Sequence, residues 1–210
     1  MEKNMNRIGV ILARLQPIHN GHLELIKKAW EENDEVYVFI GSADKFNKRN
    51  PIPISTRMEL TKGAVSEMLW EQYKDTWGDN IPKTPDNILK CADVHIVPLD
   101  DLDDETNNSH EWGFYLYSKV VTTTGNPNFT IYYSDGFEII TTWFPGFILR
   151  NNVSLSLLAR NSVKNGVSAT SVRKMIMDGD DEKLKECVPN CVFERRDHIK
   201  ALIELSEKVH

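Results

Sequence analysis

The chain alternates between short unbroken apolar runs and longer stretches in which apolar residues recur every three or four positions. Residues 7–15, RIGVILARL, form a β-branched apolar run that is typical of a buried strand. Between residues 20 and 33, Leu23, Ile26 and Trp30 recur at helical spacing. The chain therefore begins with a predicted strand, a tight turn and an amphipathic helix.

The same alternation continues into the first half of the chain. Residues 35–43, EVYVFIGSA, predict a second buried strand that ends in Gly-Ser. Thr56 and Glu59 have the spacing of a capping box, which predicts a helix running from there toward Trp70. Residues 74–92 contain two prolines and predict a surface loop.

The second half of the chain supplies further predicted strands and a helical end. DVHIVPL predicts a third strand, and an acidic loop, DDLDDETNNS, leads into a helix around residues 112–120. FTIYYSD predicts a fourth strand and GFILR a fifth. Residues 168–210 are mostly helical in pattern, with breaks at Gly179 and Pro189.

Strands that alternate with helices predict an α/β fold, a Rossmann-like doubly wound parallel sheet with a helical C-terminal segment. At 210 residues the chain predicts a single domain, with residues 168–210 as a helical C-terminal subregion.

Polar side chains follow the predicted strands at the points where the strands end. Ligands of such sheets bind at the carboxyl ends of the strands, near the point where the strand order reverses. We therefore expect the following residues to face one crevice: His19, His22, Ser42, Asp101 and Asp135.

Composition limits the classes of function. The formal net charge of −6 argues against broad nucleic-acid binding, which needs massed lysine and arginine. The three cysteines form no C-x-x-C pair, so neither a disulfide framework nor a zinc site is indicated. The sequence lacks an apolar run long enough for a membrane span or a secretory signal, which predicts a cytoplasmic protein without a membrane partner.

Residues 19–22 form an H-x-G-H tetrad between the first strand and the first helix. A helix N-terminus attracts phosphate through its unpaired N–H groups and its dipole. Gly21 allows close approach of a ligand to the backbone, and His19 and His22 can add side-chain donors. The alternative is that His22 only caps or packs the first turn.

A second candidate anion site lies in residues 168–173, SATSVR. Ser168 is a predicted N-cap, and a helix beginning at Ala169 would present another N-terminus to anionic oxygens. Thr170 adds a hydroxyl, and Arg173 adds a charged fork suited to polyphosphate. The alternative is an ordinary capped surface helix.

Together the two motifs resemble the H-x-G-H nucleotidyltransferase superfamily, whose members transfer AMP or CMP from a nucleoside triphosphate. Within it, five segments resemble, in order, the blocks of the archaeal-type nicotinamide-nucleotide adenylyltransferase family: ARLQPIHNGHLELI, FIGSADKFNKRNPIPISTRMEL, HIVPLDDL with Trp112, YYSD, and VSATSVRKMIMDGD.

The resemblance implies that AMP passes from ATP to nicotinamide mononucleotide (NMN), giving NAD and pyrophosphate by direct in-line displacement, with Mg²⁺ accompanying ATP. It implies catalytic roles for His19, His22 and Arg173. The implied ATP-binding residues are Arg14, Gly21, Ser168, Thr170, Arg173 and Asp135. The implied NMN-binding residues are Ser42, Arg57, Asp101 and Trp112, and no residue is assigned as a metal ligand.

Other functions remain open at this point. The acceptor could be another molecule, such as phosphopantetheine, with ATP or CTP as the nucleotide donor. A non-catalytic nucleotide sensor is a rival from a different class, although a sensor need not keep both anion-binding motifs. We expect a stand-alone transferase, and the sequence leaves open whether it forms a homo-oligomer.

Overall fold

A parallel sheet forms the centre of the computed structural model, which describes residues 6–77, 82–102, 109–159 and 167–209. Its strands are β1 (Ile8–Ala13), β2 (Glu35–Ile40), β3 (Val94–Pro98), β4 (Phe129–Ser134) and β5 (Val153–Leu158). All pairings are parallel, in the order β3-β2-β1-β4-β5. The predicted Rossmann-like doubly wound fold is confirmed, and the order reverses between β1 and β4.

Helices connect the strands and form the C-terminal region. They are α1 (Asn20–Glu32), α2 (Ile54–Trp77), α3 (Pro85–Cys91), α4 (Ser109–Thr124), a 3-10 helix (Glu138–Thr142), α5 (Gly146–Asn151), α6 (Ala169–Asp178), α7 (Asp181–Cys187), α8 (Asn190–Glu194) and α9 (Arg196–Ser206). The helical C-terminal segment that the sequence predicts is thus present. Among the described residues, no helix combines the length and apolar character needed to cross a membrane.

The core lies in two layers, one on each face of the sheet. Successive strand residues point to opposite faces, so Ile11 and Val38 belong to one cluster while Val10 and Phe39 belong to the other. The first cluster is covered by α1, α2, α3 and the C-terminal helices. The second is covered by α4, the 3-10 helix and α5. Burial on both faces explains why β1 and most of β2 are continuously apolar.

The structure corrects the predicted boundaries around α2 and α3. Helix α2 begins at Ile54, so Thr56 lies inside its first turn and the predicted capping box is wrong. The helix continues to Trp77, and α3 occupies residues 85–91, so most of the predicted loop at 74–92 is wrong. Pro85 occupies the first turn of α3, where its missing N–H costs nothing, and Thr84 caps the helix.

The fifth strand is also displaced from its predicted position. GFILR forms α5, which follows Pro145, and the strand β5 comes afterwards with the sequence VSLSLL. Its serines alternate with apolar residues, which is the pattern of a half-buried strand. Of the predicted acidic loop, residues 103–108 lie outside the described residues.

Gly113 lets α4 approach the 3-10 helix region closely. A Cβ at this position would lie 2.0 Å from the carbonyl oxygen of Trp143, a backbone atom that cannot move independently. We expect Gly113→Ala to lower the free energy of unfolding by about 1–3 kcal/mol, the usual cost of overpacking. Urea denaturation measures this change. Gly146→Ala is the matched control, because a Cβ there meets only the end of Arg150 at 3.9 Å. Equal stability of the two variants would contradict the expectation.

Candidate functional site

The H-x-G-H tetrad lies at the carboxyl end of β1 and begins α1. His19 is the N-cap residue and is almost fully buried, and His22 stands in the first turn with its ring stacked on that of His19, centroids 3.7 Å apart. The His19 backbone N–H donates to Nδ1 of His22 at 3.3 Å. An Nδ1 that accepts a hydrogen bond carries no proton, so the His22 ring donates through Nε2–H. His22 is therefore a hydrogen-bond donor at Nε2.

The second motif lies at the start of α6. The helix begins at Ala169, as predicted, and the Ser168 hydroxyl accepts the Ser171 backbone N–H at 3.1 Å. Thr170 is exposed in the first turn. The Arg173 guanidinium donates to the backbone carbonyl of Gln16 at 2.7 Å. This bond joins α6 to the loop between β1 and α1, so two motifs that are about 150 residues apart lie together.

Arginines concentrate positive charge at this end of the sheet. Burial, and then the positive charge of Arg49, lower the pKa of Arg14, although part of its side chain is exposed. Burial and then Arg14 lower the pKa of Arg173. In the described residues, the arginine–carboxylate ion pairs are those of Arg7, Arg195 and Arg196, which lie elsewhere. The site thus holds cations that an anionic ligand would neutralise.

Ser42 and Asp101 meet at the carboxyl ends of β2 and β3. The Ser42 hydroxyl donates to Asp101 Oδ1 at 2.9 Å, and Asp44 accepts the Asp101 backbone N–H at 2.9 Å. The Ala43 backbone N–H donates to the carbonyl of Leu99 at 3.0 Å. These bonds hold the two loops together and fix the positions of the predicted NMN-contacting groups.

Trp112 lies on α4 within an aromatic group beside these loops. Its half-buried indole stacks on Trp143, centroids 5.7 Å apart, and meets the edge of Tyr115. The Tyr115 hydroxyl donates to the carbonyl of Asp100 at 2.9 Å. The aromatic group is therefore tied to the end of β3, next to Asp101.

Two further predicted residues border the switch point between β1 and β4. Gly21 lies in the first turn of α1 and is half-buried. Asp135 directly follows β4 and is also half-buried. Both residues lie at the carboxyl edge of the sheet, which is where ligands bind in doubly wound folds.

The structure gives Arg57 a different place from the one predicted. Its side chain is fully buried, with a relative exposure of 0%, and its guanidinium donates to the backbone carbonyls of Arg14, Gly41 and Ser42. A side chain shielded in this way cannot reach a substrate phosphate in this conformation. The predicted direct contact with NMN is therefore not what the geometry provides.

Gln16 and Trp143 are parts of the site region that the sequence prediction missed. The Gln16 side chain is buried and exchanges two hydrogen bonds with the backbone of Ile52, at 2.9 and 3.3 Å. The backbone carbonyl of Gln16 also accepts the hydrogen bond from Arg173. The sequence signal is a lone amide among the apolar residues of LQPI, because a buried amide requires hydrogen-bond partners. Trp143 had no local signal.

A cavity of about 540 Å³ lies elsewhere, between α1, α2, α3 and α8. Its lining, which includes Leu23, Glu67 and Trp70, contains none of the predicted site residues among those described. The described residues likewise contain no group of three His, Cys, Asp or Glu side chains placed to hold a metal ion. The chemistry-bearing side chains therefore gather at the carboxyl edge of the sheet and not in this cavity.

The fold and this edge define the class of protein: a doubly wound α/β nucleotidyltransferase-type domain. The family model described as cytidylyltransferase-like matches residues 13–175. The chain belongs to this cytidylyltransferase-like family.

Similar proteins agree with this assignment. A nicotinamide-nucleotide adenylyltransferase from Thermococcus onnurineus is 28% identical, covering 94% of this chain and 86% of the relative. One from Picrophilus torridus is 26% identical, covering 94% and 96%.

Solved structures share the fold. The Plasmodium falciparum nicotinic acid mononucleotide adenylyltransferase complexed with APC has a TM-score of 0.53 at 12% identity, covering 95% of this chain and 98% of that one. A bifunctional NMN adenylyltransferase/ADP ribose pyrophosphatase from Francisella tularensis, complexed with AMP and a manganese ion, has a TM-score of 0.53 at 22% identity. That match covers 83% of this chain and only 42% of the Francisella chain.

Proposed function

We propose that the protein transfers AMP from ATP to NMN, releasing pyrophosphate and forming NAD. The observation that carries the proposal is the bond from Arg173 to the carbonyl of Gln16, which brings the α6 N-terminus to the loop that holds His19 and His22. In this proposal the two helix N-termini and the guanidinium groups of Arg14 and Arg173 border one binding site, and the effect of the Arg14 charge on the pKa of Arg173 supports their proximity. Such an arrangement suits a triphosphate.

The identity of the acceptor is supported by the relatives. Curated proteins that align along most of this chain are named nicotinamide-nucleotide adenylyltransferase. The aromatic group at Trp112 and the Ser42–Asp101 pair offer a stacking surface and hydrogen-bonding groups beside the phosphate region. A cationic ring such as nicotinamide is attracted to an indole face.

The chemistry needs no protein nucleophile. The NMN phosphate is largely dianionic at neutral pH, since its second pKa is near 6. One of its oxygens attacks the α-phosphorus of ATP, the bond from that phosphorus to the bridging oxygen breaks, and pyrophosphate leaves with the electron pair. Negative charge builds on the α-phosphate and on the leaving group, so positioned donors and cations accelerate the step.

Apart from Arg57, the predicted site residues take the following roles in binding and in that step. His22 donates through Nε2 to phosphate oxygens, with His19 beside it at the helix start. Arg14 and Arg173 neutralise the phosphates on both sides of the bond that breaks, and Gly21, Ser168 and Thr170 line the two helix N-termini. Asp135 is assigned to the ATP side. Ser42, Asp101 and Trp112 bind NMN.

A divalent ion enters as part of the ATP complex, and Mg²⁺ is the proposed ion. The Francisella structure was solved with AMP and a manganese ion. Mg²⁺ bound together with ATP would neutralise phosphate charge and would need few protein ligands, because Mg²⁺ keeps several of its waters. We further propose that the enzyme works in the cytoplasm on ATP and NMN, without nucleic-acid or membrane partners. We also propose that residues 1–210 form a single domain, in which residues 168–210 are a helical subregion.

Trp112→Ala tests the acceptor side. Loss of an indole under a cationic ring is expected to raise KM for NMN about tenfold, while KM for ATP stays within about twofold. Initial rates with each substrate varied in turn measure both constants. Trp70→Ala serves as the matched control, because Trp70 is an exposed tryptophan on α2, away from this edge. An unchanged KM for NMN would remove Trp112 from the site.

A substrate panel tests the proposed function. The protein is incubated with MgATP or MgCTP and, in separate reactions, with NMN, nicotinic acid mononucleotide or phosphopantetheine, and pyrophosphate release is followed. We expect the highest kcat/KM for the pair of ATP and NMN. Turnover of phosphopantetheine without turnover of NMN would overturn the proposal, and so would binding of ATP without any pyrophosphate release.

A further inference from the structure

Arg57 joins the loop after β1 to the loop after β2. Both loops carry residues that are proposed to contact substrate. One guanidinium nitrogen donates to the carbonyl of Arg14 at 2.9 Å and to that of Gly41 at 2.7 Å. The other terminal nitrogen, Nη2, donates to the carbonyl of Ser42 at 2.8 Å. Arg14 begins the loop after β1, and Gly41 and Ser42 begin the loop after β2. One buried side chain thus holds the ends of both strands.

The carbonyls that Arg57 contacts lie next to Leu15 or belong to Ser42 and its neighbour, and both Leu15 and Ser42 have an unfavourable backbone conformation. Leu15, which follows Arg14, has φ of +50°, and Ser42 has φ of +52°. These are left-handed conformations that residues with a side chain rarely adopt. Neither position is glycine, so other interactions must hold the chain there. The bonds from Arg57 act on the peptide group before Leu15 and on the one after Ser42.

The surroundings favour this role over a contact with ligand. Burial lowers the pKa of Arg57 to about 10, with Asp101 opposing that shift and Arg14 adding to it. The group therefore remains charged at neutral pH, and its hydrogen bonds to carbonyls are charge-assisted. Both terminal nitrogens of the guanidinium donate to backbone carbonyls, so the buried group has little freedom to move toward a substrate.

We propose that Arg57 is a positioning residue that fixes Arg14 for the triphosphate and Ser42 for the acceptor nucleotide, an inference that rests on the proposed function for the identity of the two substrates. Removing Arg57 should therefore affect both substrates together. A residue that contacts the NMN phosphate directly would instead affect NMN alone.

Kinetics of Arg57→Lys and Arg57→Gln separate these possibilities. We expect KM for ATP and KM for NMN both to rise at least about tenfold, with lysine, which keeps charge but not the planar fork, less affected than glutamine. Leu60→Ala is the matched control, because Leu60 is buried on the same helix and its truncation lowers stability without removing a hydrogen bond to either loop. All measurements are made below the melting temperature of each variant.

Hydrogen exchange provides a readout that is independent of turnover. The Gly41 N–H donates to the carbonyl of Ala13 and the Ala43 N–H to that of Leu99, so both amides are protected while the loops stay in place. In Arg57→Lys we expect these two amides to exchange at least about tenfold faster, while Val38 within β2 is unchanged. Leu60→Ala should not produce this local pattern.

Several results would overturn the inference. The inference fails if the Arg57 variants match Leu60→Ala in kinetics and in hydrogen exchange. It also fails if they raise only the KM for NMN. Failure of both variants to fold would assign Arg57 a global structural role and would also overturn it. If the wild-type protein fails to turn over NMN, the proposed function fails. The exchange pattern then still decides whether Arg57 holds the loops.

Discussion

His22→Ala is expected to lower kcat by about 100-fold or more, with KM for ATP changed by less than about tenfold. The His22 ring accepts the His19 backbone N–H at Nδ1, so its proton is on Nε2, directed away from that bond. A donor aimed at charge that develops only in the transition state contributes to kcat more than to ground-state binding. Steady-state rates of pyrophosphate release measure both constants.

Two further variants make the His22 result specific. His22→Gln keeps an amide N–H that can donate, so it should recover part of the lost rate. His198→Ala is the matched control, because His198 is an exposed histidine on α9. A kcat of His22→Ala equal to that of His198→Ala would exclude His22 from catalysis.

Arg173→Ala is expected to lower kcat/KM for ATP by about 100-fold, because it removes charge-assisted hydrogen bonds to a phosphate. The variant also loses the bond to the carbonyl of Gln16, which joins α6 to the loop after β1. Both losses act on the phosphate region, so KM for NMN should change less than KM for ATP. Titration calorimetry with MgATP measures the affinity directly.

A matched pair separates direct phosphate binding from a general effect on α6. Arg173→Lys keeps the positive charge but loses the fork, and we expect it to recover part of the affinity for ATP. Lys174→Ala removes the neighbouring charge from the exposed face of the same helix and should leave ATP binding unchanged. Equal losses in Arg173→Ala and Lys174→Ala would contradict a direct contact.

The fold and the two helix N-termini were predictable because local signals specify them. Continuous apolar runs predicted strands buried on both faces, and the serine of S-x-T-x-x-R predicted where α6 begins. The boundary errors have local causes too. Two prolines in residues 74–92 predict a loop, although proline is favoured in the first turn of a helix, where Pro85 lies. GFILR is an apolar run that forms α5, whereas the strand β5 has the alternating pattern VSLSLL.

The role of Arg57 could not be predicted from its local sequence. On a helix that begins after a proline-rich loop, an arginine is normally solvated, and nothing nearby indicates burial. Its partners are the carbonyls of Arg14, Gly41 and Ser42, which tertiary packing brings within reach. The same holds for Trp143, whose contact with Trp112 depends on the docking of α4. Contacts between distant segments define these parts of the site.

The formation of NAD tests the account most directly. Wild-type protein, MgATP and NMN are incubated together, and NAD and pyrophosphate are quantified over time, with His22→Ala and Arg173→Ala measured in parallel. At an ATP concentration below the wild-type KM, we expect equal amounts of NAD and pyrophosphate from the wild-type protein and about 100-fold lower initial rates from the two variants. Wild-type protein that forms no more NAD than these variants would contradict the proposed transfer of AMP to NMN.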